Sequence, residues 1–310
     1  MMRNEFLRTL TWLETISYAP TRAELCACVE REQMGEKSEQ CAVSGAQREI
    51  DSVLEELIAS GTILEREGRV VFPEQAERLI GNIRSRDPLQ ARKRRRARLV
   101  TSWLARCLGV RFVALANTTA LGYARDEGDL DFFVIVRAGS IWTSRLFGGL
   151  PFRLLHMTPR PGNERDAVCL SYFIADDALD LTSHMLPGDD PYFRYWFLSL
   201  LPLFDDGVSK DFWNANATIR AKHPFARRWI VPPDLEVRAP RVRFFASRLV
   251  ENIARLLQTK WFPLVIRARM NLDSTVMVND HVLKFHVTDA REMYRRIYQD
   301  SCSKRVSSEQ

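Results

Sequence analysis

Residues 113–136 read VALANTTALGYARDEGDLDFFVIV, and the order of polar and apolar residues in this stretch decides the fold. Residues 111–116 (RFVALA) form a short apolar run that predicts a buried strand. Asn117, Thr118 and Thr119 end it, and residues 120–123 (ALGY) predict a short helical segment or turn. Asp126-Glu127-Gly128 is a turn signal. A second strand then begins with Asp129-Leu130-Asp131 and continues as Phe132-Phe133-Val134-Ile135-Val136. Strand alternation sets Asp129 and Asp131 on one face, with Leu130 and Phe132 on the other. Paired carboxylates at the start of an apolar strand repel each other and lose hydration. A hard divalent cation relieves both costs, keeping water and phosphate oxygens as its remaining ligands. The plainer reading of the same Asp-x-Asp is a strand entrance capped by solvated aspartates.

The strand, polar turn, short helix and Asp-x-Asp strand together resemble the nucleotidyltransferase fold of the DNA polymerase β superfamily. In that family an apolar strand is followed by Gly-Gly or Gly-Ser and then by Asp-apolar-Asp-apolar. The resemblance covers residues 110–180. It implies an α+β chain with a mixed-sheet core, a Mg²⁺ (or Mn²⁺) held by Asp129 and Asp131, and an NTP as substrate. It further implies phosphate contacts from Asn117, Thr118 and Arg125, with an unidentified hydroxyl acceptor displacing pyrophosphate. Arg137 and Arg145 are weaker phosphate candidates. The chain departs from the family pattern at two places. Asn117-Thr118 stands where the glycine would be, although asparagine tolerates left-handed backbone better than most residues. The strand expected at residues 167–174 carries no acid for a third carboxylate; Asp166 precedes it, and Asp176 and Asp177 follow it.

Upstream, three helical patterns and two strand-like pieces joined at Glu67-Gly68 give the order of a winged helix over residues 1–80. Thr21 is a cap candidate, residues 31–40 read as a loop, and the third helix is expected from Ser44 to Ser60. Its outer face would show Gln47, Arg48, Asp51, Glu55 and Glu56, which opposes docking on nucleic-acid phosphates; Arg66 and Arg69 in the wing favour it. Residues 1–80 carry 9 basic and 15 acidic side chains, while the rest of the chain is net basic within an overall charge of +6. A nucleic-acid partner therefore stays open, chiefly for the later three quarters. Residues 81–108 form a basic helical connector whose run Arg92-Lys93-Arg94-Arg95-Arg96 is either a solvated face or a phosphate contact.

The nucleotidyltransferase-like unit is expected over residues 109–220, with a helix over 139–157 interrupted at Gly148-Gly149 and an aromatic-rich helical core over 190–220. Residues 221–300 form a helical region that includes a long arginine-rich amphipathic pattern at 242–271, a strand or turn at 281–286 and a last helix at 289–298. A disordered tail is expected from 301 to 310. His156 and His184 stand alone, as structural histidines do. With 46% apolar and 27% charged residues the composition excludes a disordered or fibrous chain. No apolar run is long enough for a membrane span, the N-terminus lacks a leader's apolar core, and the six cysteines lack metal spacing. These features predict a cytoplasmic protein without a membrane partner. The rival functions are a nucleotide-binding regulatory scaffold that has lost turnover, and a winged-helix DNA-binding regulator.

Overall fold

The computed structural model describes residues 2–30, 39–107, 109–160, 162–238 and 247–308. It is a mixed α and β chain around a mixed six-stranded sheet.

Helices α1 (Met2–Thr15), α2 (Arg22–Cys28) and α3 (Glu39–Ala59) precede the hairpin β1 (Leu64–Arg66) and β2 (Arg69–Val71). The Thr21 side chain caps α2, and Glu24 reaches back to the Thr21 N–H at 2.7 Å. Glu67 and Gly68 both adopt left-handed backbone (φ 55° and 70°), as a two-residue hairpin turn requires. Most of the loop expected at 31–40 lies outside the described residues, and α3 starts earlier than expected, at Glu39. The side chain of Gln47 also lies outside what is described; Arg48, Asp51, Glu55 and Glu56 are exposed.

Helix α4 (Ala76–Leu104) runs unbroken from the hairpin to the sheet. There follow β3 (Val110–Leu115), α5 (Asn117–Ala120), β4 (Leu130–Val136), α6 (Ile141–Leu154) and β5 (Val168–Ala175). Gly148 and Gly149 do not interrupt α6; a Cβ on Gly148 would lie 2.9 Å from Leu104 Cδ2, so the glycine lets α6 approach α4. Next come α7 (Pro191–Leu198), β6 (Leu201–Asp205), α8 (Ser209–Ala215) and α9 (Ala217–Arg220). The last elements are α10 (Arg248–Trp261), α11 (Leu264–Arg269), β7 (Val276–Val278), β8 (Val282–Phe285) and α12 (Arg291–Ser308). The single long helix pattern at 242–271 is thus two helices separated at Pro263, with 242–246 outside the described residues.

The sheet order is β6-β3-β4-β5-β8-β7, with β4 and β5 parallel and the other pairs antiparallel. Alternation sends Leu130, Phe132, Val134 and Val136 into a core with α4, α6 and α10, and Phe133 and Ile135 into an aromatic core with α7 and α8. The N-terminal helices share a third core with α7 and α12, where Trp12 stacks on Tyr195 at 5.2 Å and meets Tyr298 edge-on at 5.5 Å. The tail expected to be disordered from Ser301 is instead helical to Ser308. Arg305 holds it by pairing with Glu14 at 2.7 Å and Glu74 at 3.2 Å and by stacking on Phe72. No helix among the described residues is long and apolar enough to cross a membrane.

Candidate active site

Antiparallel pairing brings the C-terminal end of β3 beside the start of β4, and the C-terminal end of β8 beside the start of β5. Ends of the four interior strands therefore meet on one side of the sheet's middle. Asp129 precedes β4, Asp131 lies within it, and Asp131 is in register with Cys169 on β5. One ligand atom from each of Asp129, Asp131 and Cys169 lies within 4.8 Å of the others. Farther along, β5 advances three residues against two on β4. This bulge brings Ser171 and Tyr172, neighbours in sequence, to the same cleft as Cys169.

Asn117 occupies the bend after β3 in left-handed backbone (φ 56°), the conformation that the glycine of the resembled pattern supplies without a side chain. Its Nδ2 donates to Asp131 Oδ2 at 2.6 Å, and its Oδ1 accepts from the Tyr192 hydroxyl at 3.3 Å. Asn117 thus gives one carboxylate an orienting hydrogen bond.

Neither Asp129 nor Asp131 has an ion-pair partner among the described residues. Burial, then the charge of Asp131, pushes the Asp129 carboxyl above its ordinary range; exposed Glu164 is near enough to add to the repulsion. Burial likewise raises Asp131 against the opposing hydrogen bond from Asn117. The Cys169 thiol is raised by burial and by both carboxylates, so it stays protonated, and its Sγ donates to Ser171 Oγ at 3.3 Å. Ser171 lies 3.2 Å from Nε2 of His286, whose pKa burial lowers to about 3, leaving a neutral ring to accept from the hydroxyl.

The cleft has a volume of about 490 Å³ and brings together Asn117, Asp129 and Asp131. Thr118 lines an adjoining apolar cavity of about 100 Å³ instead, and Arg125 is exposed and does not line the cleft. Arg145 is turned away, bonded to Gln258 at 2.7 Å and stacked on Phe285; Arg137 is exposed. Of the third-acid candidates, Asp166 pairs with Lys93 at 2.9 Å and Arg92 at 2.8 Å, Asp176 with Arg111 at 2.7 Å, and Asp177 with His281 at 3.0 Å. The third group at the aspartates is the Cys169 thiol. A protonated thiol suits a hard ion poorly, whereas two carboxylates without counter-ions suit Mg²⁺ or Mn²⁺ well, with water and phosphate as the other ligands.

The arginine-rich run of α4 serves this site indirectly. Lys93 is fully buried and donates to the Gly128 carbonyl as well as pairing with Asp166. Arg92 binds Asp126 at 2.5 Å. Together they clamp the segments that lead into β4 and β5, fixing where Asp129 starts.

Lys284 on β8 is a cleft residue with no signal in the local sequence. Its Nζ is buried without a hydrogen-bond partner, 5.3 Å from the Tyr172 ring centre and 5.4 Å from that of Phe193. Burial, then the charge of Arg291, lowers its pKa to about 7. The folded amine therefore sheds its proton well before the unfolded one, whose ordinary value is 10.5, so stability rises with pH between the two. Lys284→Met should unfold at higher urea than the parent at pH 6, by about 2 kcal/mol. The gap should close as the pH nears 10; a gap independent of pH would remove the buried-charge explanation.

No family model, curated protein or solved structure matches this chain.

Proposed function

We propose that the chain is a Mg²⁺- or Mn²⁺-dependent nucleotidyltransferase that passes a nucleotidyl group from an NTP to a hydroxyl acceptor. One observation carries the reading: two half-buried carboxylates, without ion-pair partners among the described residues, converge with Cys169 inside a cleft of about 490 Å³. Asp129 and Asp131 would hold the cation, and Asn117 keeps Asp131 oriented toward it. When bound, the ion supplies charge neutralisation for the phosphates and for the leaving group. The acceptor oxygen bonds to the α-phosphorus as the bond from that phosphorus to the bridging oxygen of the β-phosphate breaks, releasing pyrophosphate. The hydroxyl proton passes to water. Lys284, whose amine has no partner in the cleft, is placed to meet phosphate charge.

A second reading, a nucleotide-binding scaffold without turnover, is favoured by the thiol that stands where a third carboxylate would serve as base. Incubation with Mg²⁺ or Mn²⁺ and each labelled NTP separates the two. Metal-dependent pyrophosphate release supports the transferase. Metal-dependent binding without release supports the scaffold, and the absence of both rejects the pair.

A further inference from the structure

Helix α10 is built inside out. The face it packs against α6 consists of Glu251, Ala254 and Gln258. Glu251 accepts the backbone N–H groups of Trp142 and Thr143 at 2.8 and 3.0 Å, and Gln258 donates to the Trp142 carbonyl at 2.7 Å. Its apolar stripe faces outward: Leu249, Ile253, Leu256 and Trp261 are exposed, and Leu264 on α11 extends the stripe at 81% exposure. A soluble helix ordinarily buries such a stripe, and a contiguous exposed one marks a docking surface.

The charges beside the stripe identify its occupant. Across α10 and α11 the basic residues are Arg248, Arg255, Lys260, Arg267 and Arg269, and the single acid, Glu251, is turned inward onto α6. Arg255 pairs with Asp280 at 3.1 Å, whereas Arg267 and Arg269 donate to the backbone carbonyls of Lys260 and Val287 and keep their charge. Arg153 from α6 stacks beside Trp261, adding another cation at the edge. A two-fold contact between copies would set these cations against each other. An anionic surface with an apolar interior satisfies both the stripe and its rim.

We infer that the α10–α11 face lies on an anionic lipid bilayer, with the stripe sunk among the acyl chains and the basic rim at the headgroups. This is peripheral docking, which requires no spanning helix and departs from the expectation of no membrane partner, an expectation that rested on the lack of a spanning segment. A groove of about 500 Å³ beside Trp261, lined by Leu150 and Phe262 and also by Arg145, Arg153 and Arg160, shares Cys169 and Ser171 with the aspartate cleft. Where the cleft acts as a transferase site, an extension that rests on that proposal, the groove's apolar walls and arginines suit an acceptor hydroxyl carried on an anionic amphiphile.

The test is flotation of the full-length protein, without nucleotide or metal, with vesicles of phosphatidylcholine alone or mixed with phosphatidylglycerol. Recovery with the anionic vesicles only, reversed by salt, is expected. Leu256→Glu should reduce it about tenfold or more, and the Lys260→Glu, Arg267→Glu pair about 25-fold or more, since each surface cation contributes a factor of about five. All three substitutions are at exposed positions, so melting temperatures should stay at the parent value, with Lys210→Glu on α8 as a silent control. Absence of anionic-vesicle binding at low salt would overturn the inference, as would binding that the variants leave unchanged. A stable dimer that Leu256→Glu dissociates would also overturn it, assigning the face to a second copy. Because flotation requires no turnover, its result stands apart from the fate of the transferase reading.

Discussion

Asp131→Asn and Asp129→Asn are each expected to make the metal-free protein more stable while removing the proposed metal-dependent turnover. The two effects have one origin. Burial raises both carboxyls, and the charge of Asp131 raises Asp129 further, so the folded chain accepts a proton more readily than the unfolded one. For acids shifted in this direction the folded state keeps its full stability below the unfolded value, near 3.8, and loses it as the pH rises through the folded one. At pH 8, above the value of about 7 to which Asp129 is raised, the parent bears the cost at that carboxyl. An amide of the same shape removes one charge, and a gain of about 1–3 kcal/mol is expected, read by urea unfolding in chelator. The gain should shrink toward pH 4. Adding Mn²⁺ should stabilise the parent and leave the variants unchanged. Turnover should fall by about 10³, since a cation at the phosphates contributes several kcal/mol to the transition state. Lower stability in the variants, with turnover intact, would mean that the carboxylates are structural.

Lys93→Met should act in the opposite direction. Lys93 has no exposed surface and joins Asp166 to the Gly128 carbonyl. Burial works to raise Asp166, and the bonds from Lys93 and Arg92 outweigh it, holding the carboxyl below its ordinary range. Removing the amine leaves a buried carboxylate with half its support. Severing such a pair costs about 3–5 kcal/mol, and Arg92, still bonded, places the expected loss at about 3 kcal/mol. The loss should be full at neutral pH and diminish as the pH falls from about 4, where the unfolded carboxyl takes up a proton, through the lower value of folded Asp166. Freeing the Gly128 carbonyl also loosens the approach to Asp129, so Mn²⁺ should bind more weakly even where the variant is folded. A neutral effect on stability would return the basic run to the role of a solvated face.

These two positions show how far local pattern reaches. The Asp-x-Asp spacing places two carboxylates on one face because strand alternation is a property of the backbone, and asparagine at 117 is a residue type that tolerates the left-handed backbone found there. Lys93 looked like its neighbours in an arginine run because nothing local distinguishes the one position of α4 that faces Asp166, whose segment is 73 residues farther on. Cys169 and Lys284 were invisible for the same reason: their places in the cleft come from the register of β5 against β4 and of β8 against β5. In α10 the helical period was legible but its orientation was not. Periodicity defines an apolar stripe, and only the glutamate and glutamine contacts with α6 show that the stripe faces out. The helical end of the chain depends on Arg305 finding Glu14 and Glu74, partners more than 200 residues away.

The paired aspartates as a cation site are tested most directly by titrating Mn²⁺ into the full-length protein and following the loss of the free-ion spin-resonance signal. The parent should show saturable binding that an added NTP tightens, and the Asp129→Asn, Asp131→Asn double variant, still folded, should show none. Saturable binding of equal strength in the double variant, or no binding by the parent with NTP present, would contradict it.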